Sequence, residues 1–237
     1  RSASDRGVTE PSNWKVLSHP CRATRDRSTP VGRADSPLGR IWTGAGRAYL
    51  LGMTQNATLE ISNLARTFGD VKAVDGVSFE VAPGMMTGFV GGNGAGKTTT
   101  MRMIMGILGI TGGEVRWEGR PITMADRRRF GYMPEERGLY PKQPVLDQLV
   151  YLGQLGGMSA QSARASVLEH LERFGLADRA KDHVEKLSLG NQQRVQITAA
   201  VMRQPVCLIL DEPFSGLDPV AVDSMVDLLR EHTSRGV

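Results

Sequence analysis

The chain has 237 residues, 40% of them hydrophobic and 23% charged, with a formal net charge of +4 and two cysteines. That length can bury a full core, and the composition fits one globular domain of about 180 residues plus additional sequence. No run approaches the roughly 18–20 apolar residues that cross a bilayer, and the distant pair Cys21 and Cys207 excludes a metal-ligand spacing or a disulfide framework.

Residues 1–52 carry nine Lys/Arg against four Asp/Glu, whereas residues 53–237 carry twenty against twenty-one. The basic balance therefore belongs to the N-terminal segment. The remainder gives no electrostatic case for a nucleic-acid stripe, so no nucleic-acid partner is expected. With scattered Pro, Gly, Ser and Arg and no sustained period, residues 1–52 read as a disordered basic tail or a non-native extension. Met53 looks like the start of the domain, which is expected to occupy residues 53–237.

After Met53, "LEISNLARTF" and "VDGVSFEVAPG" predict two strands around a turn at Gly69-Asp70, and Pro83-Gly84 punctuates the entry to a buried strand at Met86–Val90. A helix over Lys97–Ile107 follows, with Met101, Ile104, Met105 and Leu108 toward a sheet. "GEVRWEG" and "FGYM" predict further short strands. Helices are expected at Leu146–Leu155 and at Ser159–Phe174, the second with an apolar face of Ala163, Val167, Leu168, Leu171 and Phe174. A third helix carries Val195, Ala199 and Met202 and stops at Pro205. "VCLILDEP" then reads as a core strand, and another helix begins near Pro219.

Two of these junctions carry chemistry. Gly91, Gly92, Asn93, Gly94, Ala95, Gly96, Lys97 and Thr98 fit the pattern of a phosphate-binding loop set between a strand and a helix. Glycines leave room for phosphate, and the unpaired N–H groups at a helix start favour anions. Lys97 can reach the β- and γ-phosphates, the Thr98 hydroxyl can ligate Mg2+, and Thr99 can donate a further hydrogen bond. The second junction is the end of "VCLILDEP", where an open parallel sheet presents ligand-binding side chains. Asp211 can hold Mg2+ and Glu212 can polarise the attacking water or take its proton.

The ordered set "GGNGAGKTT", "LSLGNQQRV", "LILDEP" and "SGLD" resembles the nucleotide-binding domain of the ATP-binding cassette (ABC) family, from about Leu59 to the end of the chain. "GYMPEERGLYPKQPVLDQLVYLGQL" is further similar to ATPase subunits paired with bacterial export-type permeases for drugs, sodium or antimicrobial peptides. The resemblance implies an α/β phosphate-loop NTPase with a RecA-like core sheet, an antiparallel β subdomain and an inserted helical subdomain at about residues 144–190. It implies ATP and Mg2+ as cofactors, hydrolysis coupled to transport, and a second ABC subunit, identical or different, packed head to tail. Ser188 and Gly190 would then close the partner's nucleotide, Phe68 would stack on adenine, and Asp218 would lie near the dimer seam. A separate integral membrane permease would hold the subunit at the cytoplasmic side of the plasma membrane. A soluble ABC ATPase acting on ribosomes or DNA and a hydrolysis-deficient nucleotide-binding fragment are the alternatives.

Departures from the family pattern qualify this reading. Gly92 replaces a frequent proline, Leu189 replaces a common glycine, and Asn191 replaces a frequent glutamine. Glu135 stands where the family normally has glutamine, and a carboxylate there can coordinate Mg2+ while adding charge. Members also carry a histidine on a core strand beyond "SGLD" that none of His19, His170, His183 and His232 matches. A missing C-terminal core strand and slow turnover are therefore expected, with these histidines serving as surface or local hydrogen-bonding residues.

Overall fold

The structure is a computed structural model that describes residues 14–20, 57–136 and 138–237. Most of the segment read as a disordered tail lies outside the described residues. Within it, however, Trp14–Pro20 forms a strand, β1, where no ordered element was expected.

β2 (Leu59–Phe68) and β3 (Val71–Val81) form an antiparallel hairpin across the turn at Gly69-Asp70. β4 (Met85–Gly91) leads into the phosphate loop and α1 (Lys97–Ile104). That helix is shorter than its apolar spacing suggests, because Met105 caps it and Gly106 turns left-handed at φ 71°. β5 (Gly112–Trp117) and β6 (Arg120–Pro121) complete a sheet of order β3-β2-β5-β6, whose neighbouring strands are all antiparallel. α2 (Met124–Arg127) starts with a reciprocal Thr123–Asp126 capping box.

β7 (Phe130–Met133) pairs in parallel with β8 (Cys207–Leu210). Between them come α3 (Val145–Leu155), α4 (Ala160–Arg173) and α5 (Leu189–Val201), and α6 (Pro219–Ser234) follows β8. The helix starts obey ordinary capping chemistry: Ser159, Ser188 and Asp218 each accept a hydrogen bond from the backbone N–H three residues on. In α4 the expected face is buried at Ala163, Val167, Leu171 and Phe174, but Leu168 is exposed. α5 lies against β7 so closely that a Cβ on Gly131 would sit 2.3 Å from the carbonyl oxygen of Ala200.

Two hydrophobic clusters result. One joins α3, α4, α5 and α6 through Leu149, Leu171, Ile197 and Leu228. The other joins the antiparallel sheet to α1 and β8 through Leu64, Met103, Trp117 and Ile209. The architecture is a phosphate-loop, RecA-like core with an antiparallel sheet and an inserted helical segment. β1 pairs antiparallel with β4 from Trp14↔Gly91 to Pro20↔Met85, so it begins opposite the first residue of the phosphate loop. Among the described residues β4 pairs only with β1 and β8 only with β7, so β4 and β8 are not joined in one sheet. A cavity of about 380 Å³ runs between them, lined by consecutive residues Met85–Phe89 on one side and Cys207–Phe214 on the other. A sheet face would contribute alternate residues, so consecutive lining marks two strand edges facing each other.

Candidate nucleotide site

The phosphate loop is shaped by contacts beneath it. Gly96 has φ 88°, and a Cβ there would lie 2.5 Å from the carbonyl oxygen of Ala73 and 2.9 Å from Val74 Cγ2. The β2–β3 hairpin therefore presses on the loop, and only glycine fits at the start of α1. Thr100, fully buried, donates its hydroxyl proton to the Gly96 carbonyl at 2.9 Å and locks the turn from below. Gly92, Asn93 and Gly94 are exposed, and Ala95 N–H donates to the Gly92 carbonyl at 3.3 Å. Thr98 and Thr99 lie in the first turn of α1, where backbone N–H groups have no intrahelical partner. The Lys97 ammonium reaches back over the loop and donates to the carbonyls of Gly91 at 2.8 Å and Gly92 at 3.1 Å.

The acidic side of the site comes from β7 and β8. Asp211 continues the parallel pairing, its N–H donating to the Met133 carbonyl at 2.9 Å. Its side chain is 2% exposed, and Oδ2 is buried without a hydrogen-bond partner. Burial pushes the Asp211 carboxyl above its ordinary range; Glu135 and Glu212 push the same way, while the Thr98 hydroxyl and Arg102 oppose them. The Thr98 hydroxyl also donates to Glu135 Oε2 at 3.3 Å. Glu212 is exposed and held left-handed at φ 51°, a conformation that costs a non-glycine residue on the order of 1–3 kcal/mol and clusters at functional positions.

These oxygens suit Mg2+. Thr98, Glu135 and Asp211 offer hard donors, and the orphaned buried oxygen of Asp211 is a group that a cation would satisfy. Among the described residues no cluster of three or more His, Cys, Asp or Glu could hold a metal. These residues would thus supply only part of a coordination shell, with nucleotide oxygens and water completing it.

Phe68 stands at the end of β2, 46% exposed, paired across the hairpin with Val71. Ser188 accepts from Asn191 N–H at 3.3 Å as the cap of α5, which leaves its own proton free to donate outward. Neither Ser188 nor Gly190 is brought to the phosphate loop of this chain; Gly190 packs instead against Gly216 and Leu217 of the "SGLD" segment. Asp218 caps α6 by accepting from Ala221 N–H at 2.8 Å.

Sequence reasoning missed three groups. Gln193 donates to the carbonyls of Glu212 at 3.0 Å and Pro213 at 3.2 Å, and Gln196 donates to Pro134 at 2.6 Å. Both are buried, so one face of α5 holds the Glu212 turn and the Glu135 loop together. Two glutamines three apart in a buried helix were the available signal. Thr100 is the second group. The third is His232, which is 7% exposed and not a surface residue; burial depresses its pKa.

Residues 74–215, more than half the chain, match the ABC transporter family. The chain belongs to that family. Among ABC transporter relatives, it is 50% identical over 179 residues to YhaQ of Bacillus subtilis (strain 168), an uncharacterized ABC transporter ATP-binding protein. That match covers 76% of this chain and 60% of YhaQ. It is 39% identical to the Nod factor export ATP-binding protein I of Paraburkholderia xenovorans (strain LB400), again over 76% of this chain and 60% of the relative. A solved structure of the ATP-binding subunit of an ABC transporter superposes with a TM-score of 0.66 at 29% identity, covering 76% of each chain. The chain thus spans 60% of the length of these two curated ABC relatives.

Proposed function

We propose that this chain binds MgATP and, paired head to tail with a second ABC subunit, hydrolyses it to drive a separate membrane-embedded export permease from the cytoplasmic face. The observation that carries the reading is the buried, unpartnered Asp211 oxygen set beside Thr98, Glu135 and the left-handed Glu212 at the edge of the phosphate loop. The 39% identity to a Nod factor export ATP-binding protein supports the export class.

In this mechanism Lys97 leaves the carbonyls of Gly91 and Gly92 for the β- and γ-phosphate oxygens, while the N–H groups of the loop and of Thr98 and Thr99 cradle them. Thr98, Asp211 and Glu135 would hold Mg2+, which would supply positive charge to offset that developing in phosphoryl transfer. Glu212 accepts a proton from the water that attacks the γ-phosphorus, as the bond to the bridging oxygen breaks to leave ADP and phosphate. Ser188 and Gly190 of the second subunit donate to the γ-phosphate from the opposite side, so the nucleotide closes the dimer and hydrolysis releases it. Among the described residues no helix is long and apolar enough to cross a membrane. The exposed Tyr140, in the segment after Glu135, and the exposed Tyr151 and Leu155 of α3 are the surface proposed to receive the permease. The domain is taken as residues 53–237, with its helical subdomain at about residues 144–190.

Glu212→Gln tests the reading. MgATP should still bind and should now trap a stable dimer, while hydrolysis falls by about 10²–10⁴-fold. Lys97→Ala should lose MgATP binding altogether. Wild-type hydrolysis in Glu212→Gln, measured as phosphate release at saturating MgATP, would remove Glu212 from the role of base.

A further inference from the structure

The ring proposed to receive adenine is not free on both faces. The Arg66 guanidinium carbon sits 4.5 Å from the Phe68 ring centroid, over its face. That guanidinium is itself held, since Nη1 donates to the Gly109 carbonyl at 2.9 Å, while Nε is buried. Arg66 is also placed opposite Val74, the residue whose side chain abuts Gly96 at the start of the phosphate-loop helix. Gly109 follows the other end of that helix, and Thr111 N–H ties the same segment to the Ala65 carbonyl at 2.9 Å. One arginine therefore joins the strand bearing Phe68 to the segment that follows the phosphate-loop helix.

We infer that Arg66 is the positioning residue for nucleotide-base recognition: its guanidinium clamps one face of Phe68 and presents the other to the purine, in a guanidinium–phenyl–base stack. The inference rests on Phe68 being the adenine platform. A phenyl group 46% exposed at a strand end would otherwise sample several rotamers, and a purine stacking on it would have to freeze them. Arg66 removes that freedom before the ligand arrives. A planar cation on the far face also complements the negative face of the ring, which a lysine ammonium does less well. The contact is made equally in ground and transition states, so its loss raises KM and leaves kcat unchanged.

The decisive experiment compares ATP with inorganic tripolyphosphate, which has the phosphates and no base, on wild type, Arg66→Ala, Arg66→Lys, Phe68→Leu and the double variant Arg66→Ala/Phe68→Leu. Binding is titrated with Mg2+ present, and thermal melts establish that each variant is folded. Arg66→Ala should weaken ATP by about threefold to tenfold and leave tripolyphosphate unchanged, and Arg66→Lys should recover only part of the loss. In the Phe68→Leu background, removing Arg66 should cause no further loss. Equal weakening of ATP and tripolyphosphate would show Arg66 to be a simple phosphate-attracting charge and overturn the inference. An undiminished effect of Arg66→Ala in the Phe68→Leu background overturns it too, while leaving Phe68 as the platform. If Phe68→Leu alone leaves the ratio of the two affinities intact, the platform reading falls, and the inference with it. Should Arg66→Ala melt below the assay temperature, the Arg66→Lys and Phe68→Leu pair completes the same cycle.

Discussion

Two buried carboxylates show how residues of one type are put to opposite uses. Asp126 is 4% exposed and receives a bidentate pair of 2.7 Å hydrogen bonds from Arg120, with further bonds from the Thr123 hydroxyl and N–H. These donors hold its carboxyl well below the usual 3.8. Its stabilisation is complete above that value and is lost as pH falls through the native pKa. Asp211 is equally buried yet shifted upward, chiefly by desolvation. Its charge therefore opposes folding at neutral pH, and the proposed function gives that charge a ligand to hold. Asp126→Asn is predicted to destabilise the fold at pH 7, by about 1 kcal/mol or more from the lost capping box, and so to lower the melting temperature, with a smaller deficit as pH falls below 3.8. Asp211→Asn should raise the melting temperature while abolishing hydrolysis. Thermal melts of both variants between pH 3 and 7 check the pair, and a destabilised Asp211→Asn would show that the buried carboxylate has structural partners. Cys207, whose thiol burial pushes up to about 12, belongs to the core and not to this chemistry.

At the scale of elements, β1 changes the meaning of the N-terminal segment. β4 would otherwise expose a row of unpaired N–H and C=O groups immediately before the phosphate loop, and an open edge of that kind invites pairing with other chains. β1 covers one of the two edges of β4 along its whole length. Replacing Trp14–Pro20 by a Gly/Ser stretch is predicted to lower the melting temperature by several degrees, since 1 kcal/mol corresponds to roughly 2–4 °C at this size. Aggregation should rise. MgATP affinity of the folded protein should remain near wild type, because the loop is shaped by Ala73, Val74 and Thr100 and not by β1. An unchanged melt and unchanged light scattering would leave β1 without a stabilising role. α5 works as a different kind of element: its capped start carries Ser188 and Gly190, and its buried glutamines hold the two acidic loops. In the proposed dimer, a nucleotide closing on Ser188 would push on the same helix that supports Glu212.

At the scale of the whole molecule, a cavity opens between the edges of β4 and β8. It is mostly apolar and is also lined by Leu229, His232 and Val237. A chain lengthened beyond Val237 by a core strand from one of the longer relatives should therefore fill the cavity, melt higher and hydrolyse MgATP faster. Single-turnover hydrolysis and thermal melts of the two lengths, compared under conditions where both dimerise, measure this. Equal rates and equal melts would mean that the open edges between β4 and β8 limit neither stability nor chemistry.

The sequence alone determined the parts of this protein whose chemistry is local. The phosphate loop, the apolar strand leading to Asp211-Glu212 and the periodic faces of α3 and α4 are contiguous patterns, each legible because neighbours in the chain meet the same requirement. Tertiary structure decided whatever depends on distant partners. Gln196 meets Pro134 across 62 positions, Arg66 meets Gly109 across 43, and β1 meets β4 across a longer interval still. The burial of His232, the exposure of Leu168 and the early end of α1 at Gly106 likewise depend on which face a neighbouring element covers or where a turn must be made. Ser188 and Gly190 mark the boundary between the two. Their pattern was plain in the sequence, but one folded chain holds them away from its own phosphate loop, because α5 is fixed between the Glu135 and Glu212 loops and turns its capped end outward.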